Sequence, residues 1–237
     1  MERSVFSKFH PAEQIELLRG GKDFFNRFIE LIKSAREEII LQTYILDADV
    51  TGISIISALY EAADKGVKIY LMLDAFGSSK LPKNLIQSIQ DHGIEFRWFK
   101  PIITVNNMEL GRRLHHKILV IDNHIGVVSG MNLADRYNDT KNSPAWLDFG
   151  AVVHGKPSEL LRIRCMEVWE NPFPNISMKR LHQDQLSIPQ EHTSLVKVNV
   201  NDWLRGKTDV IKSYHRALET AKNSVLIVGS YFLPGRR

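Results

Sequence analysis

Between Phe24 and Trp98 the spacing of apolar residues switches repeatedly between helical and strand-like, and this alternation limits the chain to an α/β fold. Phe24, Phe25, Phe28, Ile29 and Ile32 recur at helical spacing, and Ile39-Ile40-Leu41 with Tyr44-Ile45-Leu46 then reads as a strand. Ile53, Ile56, Leu59, Tyr60 and Ala63 form a second helical stripe, closed by Gly66 as a C-terminal cap. Val67 to Asp74 reads as a buried strand, Pro82 opens a third helix to about Gln90, and Ile94 to Trp98 is another strand. The pattern predicts a mixed, mostly parallel central sheet flanked by helices. Lys100 to Leu110 shows no period and reads as a loop.

Composition limits the function classes less than the pattern limits the fold. The chain has 237 residues, 43% hydrophobic and 24% charged, with a formal charge of +4. So mild a positive excess does not separate lipid from nucleic acid partners. No apolar run approaches membrane-spanning length, and Met1 to Pro11 lacks a signal-peptide core. A lone cysteine, Cys165, cannot form an internal disulfide and reads as buried and inert.

The chemistry concentrates at His115-His116-Lys117-Ile118-Leu119-Val120-Ile121-Asp122, which has the form H-x-K-x-x-x-x-D. Leu114 to Ile121 reads as one arm of an antiparallel hairpin and Ile125 to Gly130 as the other, with Asn123-His124 as the two turn residues. Alternation along a strand puts His115 and Lys117 on one side, so a nucleophile or acid lies beside a fixed positive charge. That pairing suits attack on a phosphate ester. The assumed turn places Lys117 opposite Gly130 and His115 opposite Asn132. Gly130 would then leave room for a phosphate, Asn132 would supply an uncharged donor, and Arg112 and Arg113 would add charge at the mouth. Asp122 has the opposite parity and reads as a scaffold residue of the turn.

Other polar residues read more plainly. His116 faces away from the site, and His124 belongs to the turn. The remaining histidines show no metal-ligand spacing, and neither a metal nor a cofactor is expected. Asp47 and Asp49 read as solvent-facing, Glu167 and Glu170 as a solvated helix edge, and Trp146 and Trp169 as core or interface residues. Residues 147 to 153 give a further strand, and Leu160 to Trp169 a helix.

Residues 171 to 194 carry three prolines and many polar residues, as a linker does. Beyond them an earlier pattern recurs. Phe25, Phe28, Ile32, Ser34, Ala35 and Arg36 before Ile39-Ile40-Leu41 find counterparts in Ile211, Tyr214, Leu218, Thr220, Ala221 and Lys222 before Val225-Leu226-Ile227. The expected organisation is a first lobe over 1–180, a linker over 181–194 and the opening of a similar lobe over 195–237. No second H-x-K-x-x-x-x-D lies within these residues, so the second half of the site is expected from another lobe or a second copy.

His115, Lys117, Asp122, Gly130 and Asn132 resemble the signature of the phospholipase D superfamily. The surrounding text is most similar to bacterial cardiolipin synthases: Gln42-Thr43-Tyr44-Ile45, Asp74 with Gly77-Ser78, Arg112 to Asp122, Gly130-Met131-Asn132, Trp146-x-Asp148 and Tyr231-Phe232-x-Pro234-Gly235. Ser129 departs from the pattern, where a glycine is usual. The resemblance implies catalytic His115, Lys117 and Asp122, with Asn132, Gly130 and Arg113 on the substrate. It implies a phosphohistidine intermediate on His115, a second histidine protonating the leaving alcohol, and a phospholipid substrate such as phosphatidylglycerol. Peripheral contact with the cytoplasmic side of the cell membrane follows from that substrate, and nucleic acid is disfavoured. Two further readings share the motif: a nuclease working as a symmetric dimer, and an inactive lobe that only binds lipid.

Overall fold

The computed structural model describes residues 8–99, 103–105, 108–110, 113–141, 143–170, 194–202, 207–227 and 229. The elements run β1 (His10–Ala12), β2 (Ile15–Arg19), α1 (Lys22–Ser34), β3 (Glu38–Thr43), α2 (Val50–Asp64), β4 (Lys68–Asp74), α3 (Lys83–Asp91) and β5 (Glu95–Phe99). After these come β6 (Ile103–Val105), β7 (Met108–Leu110), β8 (Ile118–Ile121), β9 (Ile125–Ser129), β10 (Phe149–His154) and α4 (Lys156–Glu170). The last are β11 (Ser194–Val196), β12 (Asn201–Asp202), β13 (Lys207–Thr208) and α5 (Asp209–Thr220).

A seven-stranded sheet in the order β2-β10-β9-β8-β3-β4-β5 forms the middle layer. The mixed α/β architecture is as predicted, with one adjustment. Parallel pairing is confined to β3-β4-β5, and every other neighbour pair in this sheet is antiparallel. The reason is local: the α2 and α3 crossovers produce parallel strands, whereas the tight β8-β9 turn and the return through β10 produce antiparallel ones. The edge strand β2 and the short β1 carry weak patterns that the sequence reading does not find. Residues 103–110, read as a loop, contain the antiparallel pair β6-β7.

Two apolar layers hold the sheet. On one face Phe24, Phe25, Phe28 and Ile32 of α1 pack with Ile55 and Leu59 of α2 over Ile39, Leu41, Leu71 and Leu119. On the other face Leu161, Cys165 and Trp169 of α4 cover Ile40, Tyr70, Ile118 and Val120. Successive residues of β3 and β8 are buried in opposite layers, which is why these strands are apolar throughout. Among the described residues no helix is long and apolar enough to cross a membrane.

The β8-β9 turn differs from expectation by one residue. Asp122 and Asn123 are the left-handed turn residues, with φ of 49° and 55°. The His124 N–H donates to the Ile121 carbonyl at 3.0 Å, and Ile121 faces Ile125. Aspartate and asparagine tolerate this conformation, whereas His124 remains as an extra residue before the ladder resumes. Asp122 gains from its place: its carboxylate accepts the backbone N–H groups of Arg36 at 2.9 Å, Glu37 at 2.8 Å and Glu38 at 2.9 Å. The hairpin tip is thereby tied to the start of β3. Replacing Asp122 with alanine leaves those donors without this acceptor, and is expected to lower stability by about 2 to 3 kcal/mol in urea denaturation. A loss below 0.5 kcal/mol, roughly the scale of an ordinary surface substitution, would show that the tie is unimportant.

In the later segment, α5 forms where the recurrence predicts a helix. Ile211, Tyr214 and Leu218 are exposed on it, whereas their counterparts Phe25, Phe28 and Ile32 on α1 are buried. Val225 to Ile227 is exposed and outside any strand. Most of the predicted linker and the run Tyr231 to Gly235 lie outside the described residues.

Candidate active site

The site forms where the carboxyl ends of β3 and β4 meet the residues entering β8. The expected strand from Leu114 to Ile121 is shorter in the structure, beginning at Ile118. Residues 113 to 117 lead into it without regular structure. Two contacts replace the missing ladder. Asp74 Oδ2 accepts the Leu114 N–H at 2.8 Å, and Lys117 Nζ donates to the His115 carbonyl at 2.8 Å.

His115 and Lys117 both lie around the ring of Tyr44. The His115 and Tyr44 ring centroids are 5.4 Å apart, and Lys117 Nζ lies 5.5 Å from the Tyr44 centroid. Tyr44 is itself fixed by the loop after β4. Ser78 Oγ donates to the Tyr44 carbonyl at 3.2 Å, and a Cβ on Gly77 would stand 2.2 Å from that same oxygen. The sequence reading gives Tyr44 no role in the site.

The electrostatics separate the two groups. Burial and the neighbouring Lys117 ammonium hold the His115 imidazole below its ordinary pKa, with Asp74 opposing them. Burial lowers Lys117 to about 8, against the attraction of Asp148. Lysine therefore keeps its proton at pH 7 while the imidazole beside it is predominantly neutral.

The register shift corrects the expected partners. Lys117 lies opposite Ser129, not Gly130, with the Ser129 N–H donating to the Lys117 carbonyl at 3.2 Å. Ser129 directs its hydroxyl to the Met131 carbonyl at 3.2 Å. Gly130 serves a different neighbour from the one expected. A Cβ there would meet Asp148 Oδ2 at 2.5 Å, so the missing side chain makes room for the carboxylate that faces Lys117. Asn132 does not stand across a ladder from His115. Its Oδ1 accepts the Ile45 N–H at 3.2 Å, and its Nδ2 donates to the Tyr137 hydroxyl at 2.7 Å. It is buried at the junction of the segments that follow β3 and β9.

The other predicted residues divide clearly. Arg113 places its guanidinium 4.5 Å from the Phe76 ring centroid and joins His115 on the wall of a groove of about 740 Å³ beside α4. Leu114, Ile118, Val128, Val153 and Leu161 make that wall largely apolar. Asp122 sits at the opposite end of β8, bonded to backbone, and serves as scaffold. Arg112 lies outside the described residues. His116, expected to face away from the site, lines the same groove as His115 and bonds Gln42 Oε1 at 2.8 Å, while Gln42 Nε2 donates to the Cys165 carbonyl at 2.7 Å. Burial pushes the Cys165 thiol up to about 12, which leaves it inert. Asp49, read as solvent-facing, instead caps α2 through Gly52 and also accepts the Asp135 N–H at 2.7 Å; Asp47 pairs with Arg136 at 3.6 Å. Trp169 is core, whereas Trp146 is exposed with its edge toward Tyr137.

Residues 28–146 match the family described as cardiolipin synthase, PLD-like domain, across half of the chain. The chain belongs to this family. Cardiolipin synthase B of Salmonella typhi is 31% identical over 233 residues, covering 97% of this chain and 56% of that protein. Cardiolipin synthase 1 of Bacillus cereus is 28% identical over 229 residues, covering 92% of this chain and 45% of that protein. The chain thus spans about half the length of the curated relatives it matches. Among solved structures, NucT from Helicobacter pylori superposes with a TM-score of 0.53 at 16% identity, covering 66% of this chain and 97% of that one. The phospholipase D family member Nuc from Salmonella typhimurium gives 0.50 at 19%, covering 66% and 95%. These two share the fold of this PLD-like domain.

The contact between Gly130 and Asp148 is directly testable. In Gly130→Ala the methyl group displaces the Asp148 carboxylate, so Lys117 should titrate below its native value of about 8 when followed by ¹⁵N NMR of the ammonium. An unchanged Lys117 titration in a folded variant would show that Asp148 does not support the lysine.

Proposed function

We propose that this PLD-like domain carries one half of a phosphatidyltransferase site of the cardiolipin synthase type, with His115 as nucleophile. The observation that carries the reading is an imidazole exposed to solvent and a buried ammonium set together around the Tyr44 ring, with the imidazole held below its ordinary pKa. The first group can attack phosphorus, and the second can balance charge on the phosphoryl oxygens. Names of the relatives favour a lipid substrate over a nucleic acid.

In this reaction an unprotonated ring nitrogen of His115 attacks the phosphorus of a phosphatidyl donor. The P–O bond to the leaving alcohol breaks as a phosphohistidine forms. A second histidine, from another lobe, gives the departing alcohol its proton. An acceptor alcohol then attacks phosphorus, returns a proton to that second histidine and releases His115. Water in place of the acceptor gives hydrolysis. Lys117 and the remaining amide hydrogen of Asn132 stabilise the phosphoryl oxygens, and Arg113 attracts the incoming anion. Gly130 acts indirectly, through Asp148, and Asp122 through the hairpin.

We infer that residues 195–237 open a second lobe. Both α1 and α5 end in an alanine with extended backbone, Ala35 at ψ 143° and Ala221 at ψ 131°, at corresponding sequence positions. The exposed apolar side of α5 is the counterpart of the α1 side that covers the first sheet. A phospholipid substrate would bring the protein to the cytoplasmic surface of the cell membrane as a peripheral enzyme.

With a second lobe or a second copy completing the site, incubation with phosphatidylglycerol vesicles should yield diphosphatidylglycerol, while single-stranded DNA stays intact. DNA cleavage without lipid turnover would establish the nuclease instead. An inert 237-residue chain that a longer chain restores would support the half-site. In an active form, His115→Ala should abolish turnover without unfolding the protein, and normal activity would remove His115 from the mechanism. The pH profile of kcat/KM should rise as His115 deprotonates below its ordinary value of 6.5 and fall again above about 8 as Lys117 loses its proton. A rate that is level from pH 7 to about 10, near the ordinary lysine value, would show that the lysine charge is not needed.

A further inference from the structure

His115 lies outside the β-ladder, because β8 begins three residues after it. Something other than strand pairing must therefore fix its backbone. The carbonyl of His115 is held by Lys117 Nζ. The amide just before it, that of Leu114, is held by Asp74 from the end of β4. The Asp74 side chain is almost fully buried, at 1% exposure. Its other oxygen, Oδ1, accepts the Phe76 and Gly77 N–H groups, each at 3.0 Å. One carboxylate thus joins the tight turn after β4 to a segment 40 residues away.

We propose that Asp74 is the positioning residue of His115. Its carboxylate clamps the Leu114 amide, sets the direction in which the imidazole leaves the backbone, and supplies the negative charge that faces that ring. This rests on the assignment of His115 as nucleophile, and it adds a group that does not touch the phosphate.

The local charges support the assignment. The charges acting on His115 are those of Lys117 from its own segment and Asp74 from β4; the Tyr44 ring, from the segment after β3, lies beside it, and Arg113 shares its groove wall. Asp148, from the segment before β10, acts on Lys117. Asp74 is therefore the carboxylate that opposes the lysine's effect on the imidazole. Without it, the ring would lose both its backbone anchor and the one charge among the described residues that favours its protonated form.

A second aspartate provides an internal control. Asp122 also accepts three backbone N–H groups, but it does so at the far end of β8. Loss of either carboxylate removes comparable structural bonding, whereas only Asp74 lies beside His115. The test is NMR titration of the His115 imidazole in the full chain, in Asp74→Asn and in Asp122→Asn. The midpoint should move to lower pH in Asp74→Asn and stay at the native value in Asp122→Asn, where the charge is too distant to be felt through solvent. In a form that turns over lipid, Asp74→Asn should also lower kcat by about 100-fold with little change in KM, as expected for a misdirected nucleophile. Equal titration shifts in both variants, or none in either, would overturn the proposal.

Should Asp74→Asn fail to fold, the native protein still decides the matter. The ¹³C shift of the Asp74 carboxyl carbon should show an inflection at the His115 midpoint, and its absence would overturn the proposal. These spectra need no substrate. A normal clamp in a protein that never transfers phosphatidyl groups would refute the proposed reaction and not the clamp. Turnover without the inflection would refute the clamp alone.

Discussion

β8 runs antiparallel to β3, with Ile39 opposite Ile121 and Gln42 opposite Ile118. This pairing decides where the chemistry falls. β3 and β4 point their carboxyl ends toward one edge of the sheet, and β8 starts from that same edge. The residues entering β8 therefore meet Tyr44, Asp74 and the Gly77-Ser78 loop, which leave β3 and β4 there. A parallel β8 would carry His115 to the opposite edge, away from all of them. Asp122 secures the arrangement by binding the backbone at the start of β3, so an error in the hairpin turn would be felt along the whole strand.

Within that frame the site depends on unequal burial. His115 is exposed enough to meet a substrate, while Lys117 is drawn into the protein and loses much of its hydration. Burial keeps the lysine pKa low but above neutrality, and the ammonium helps to keep the imidazole neutral. In the proposed reaction, two side chains two residues apart would serve as nucleophile and charge stabiliser. Asp148 and Asp74 adjust one each. This division requires that Gly130 carry no side chain, since the Asp148 carboxylate occupies that space.

Much of this was legible in the sequence, and what was not has identifiable causes. The α1 to β4 alternation is strong because α1, β3, α2 and β4 each bury a wide apolar face, whereas α3 buries only Ile89. His115 and Lys117 were found because their types and spacing are chemically unusual. The hairpin register was misjudged by one residue because Asp122 enters the turn, a choice governed by hydrogen bonds to residues 36–38 that no local pattern reveals. That shift also obscured the reason for Gly130, which depends on Asp148 from a distant segment. Asn132 was recognised as important, but its bonds to Ile45 and Tyr137 are tertiary. Asp74 and Tyr44 carried a weaker signal: a polar residue ending an apolar strand, followed by glycine and serine in one case. β1 and β2 escaped notice because exposed Ile15 and Leu17 give an edge strand little alternation to detect.

The proposed reaction rests on a covalent bond from His115 to phosphorus. Rapid acid quenching of the protein during phosphatidylglycerol turnover, followed by peptide mass spectrometry, tests that bond directly. A phosphatidyl group on the His115 imidazole is the predicted result. A phosphatidyl group on a different residue, or an unmodified His115 in a protein that is demonstrably transferring phosphatidyl groups at a rate limited by the second step, would contradict it.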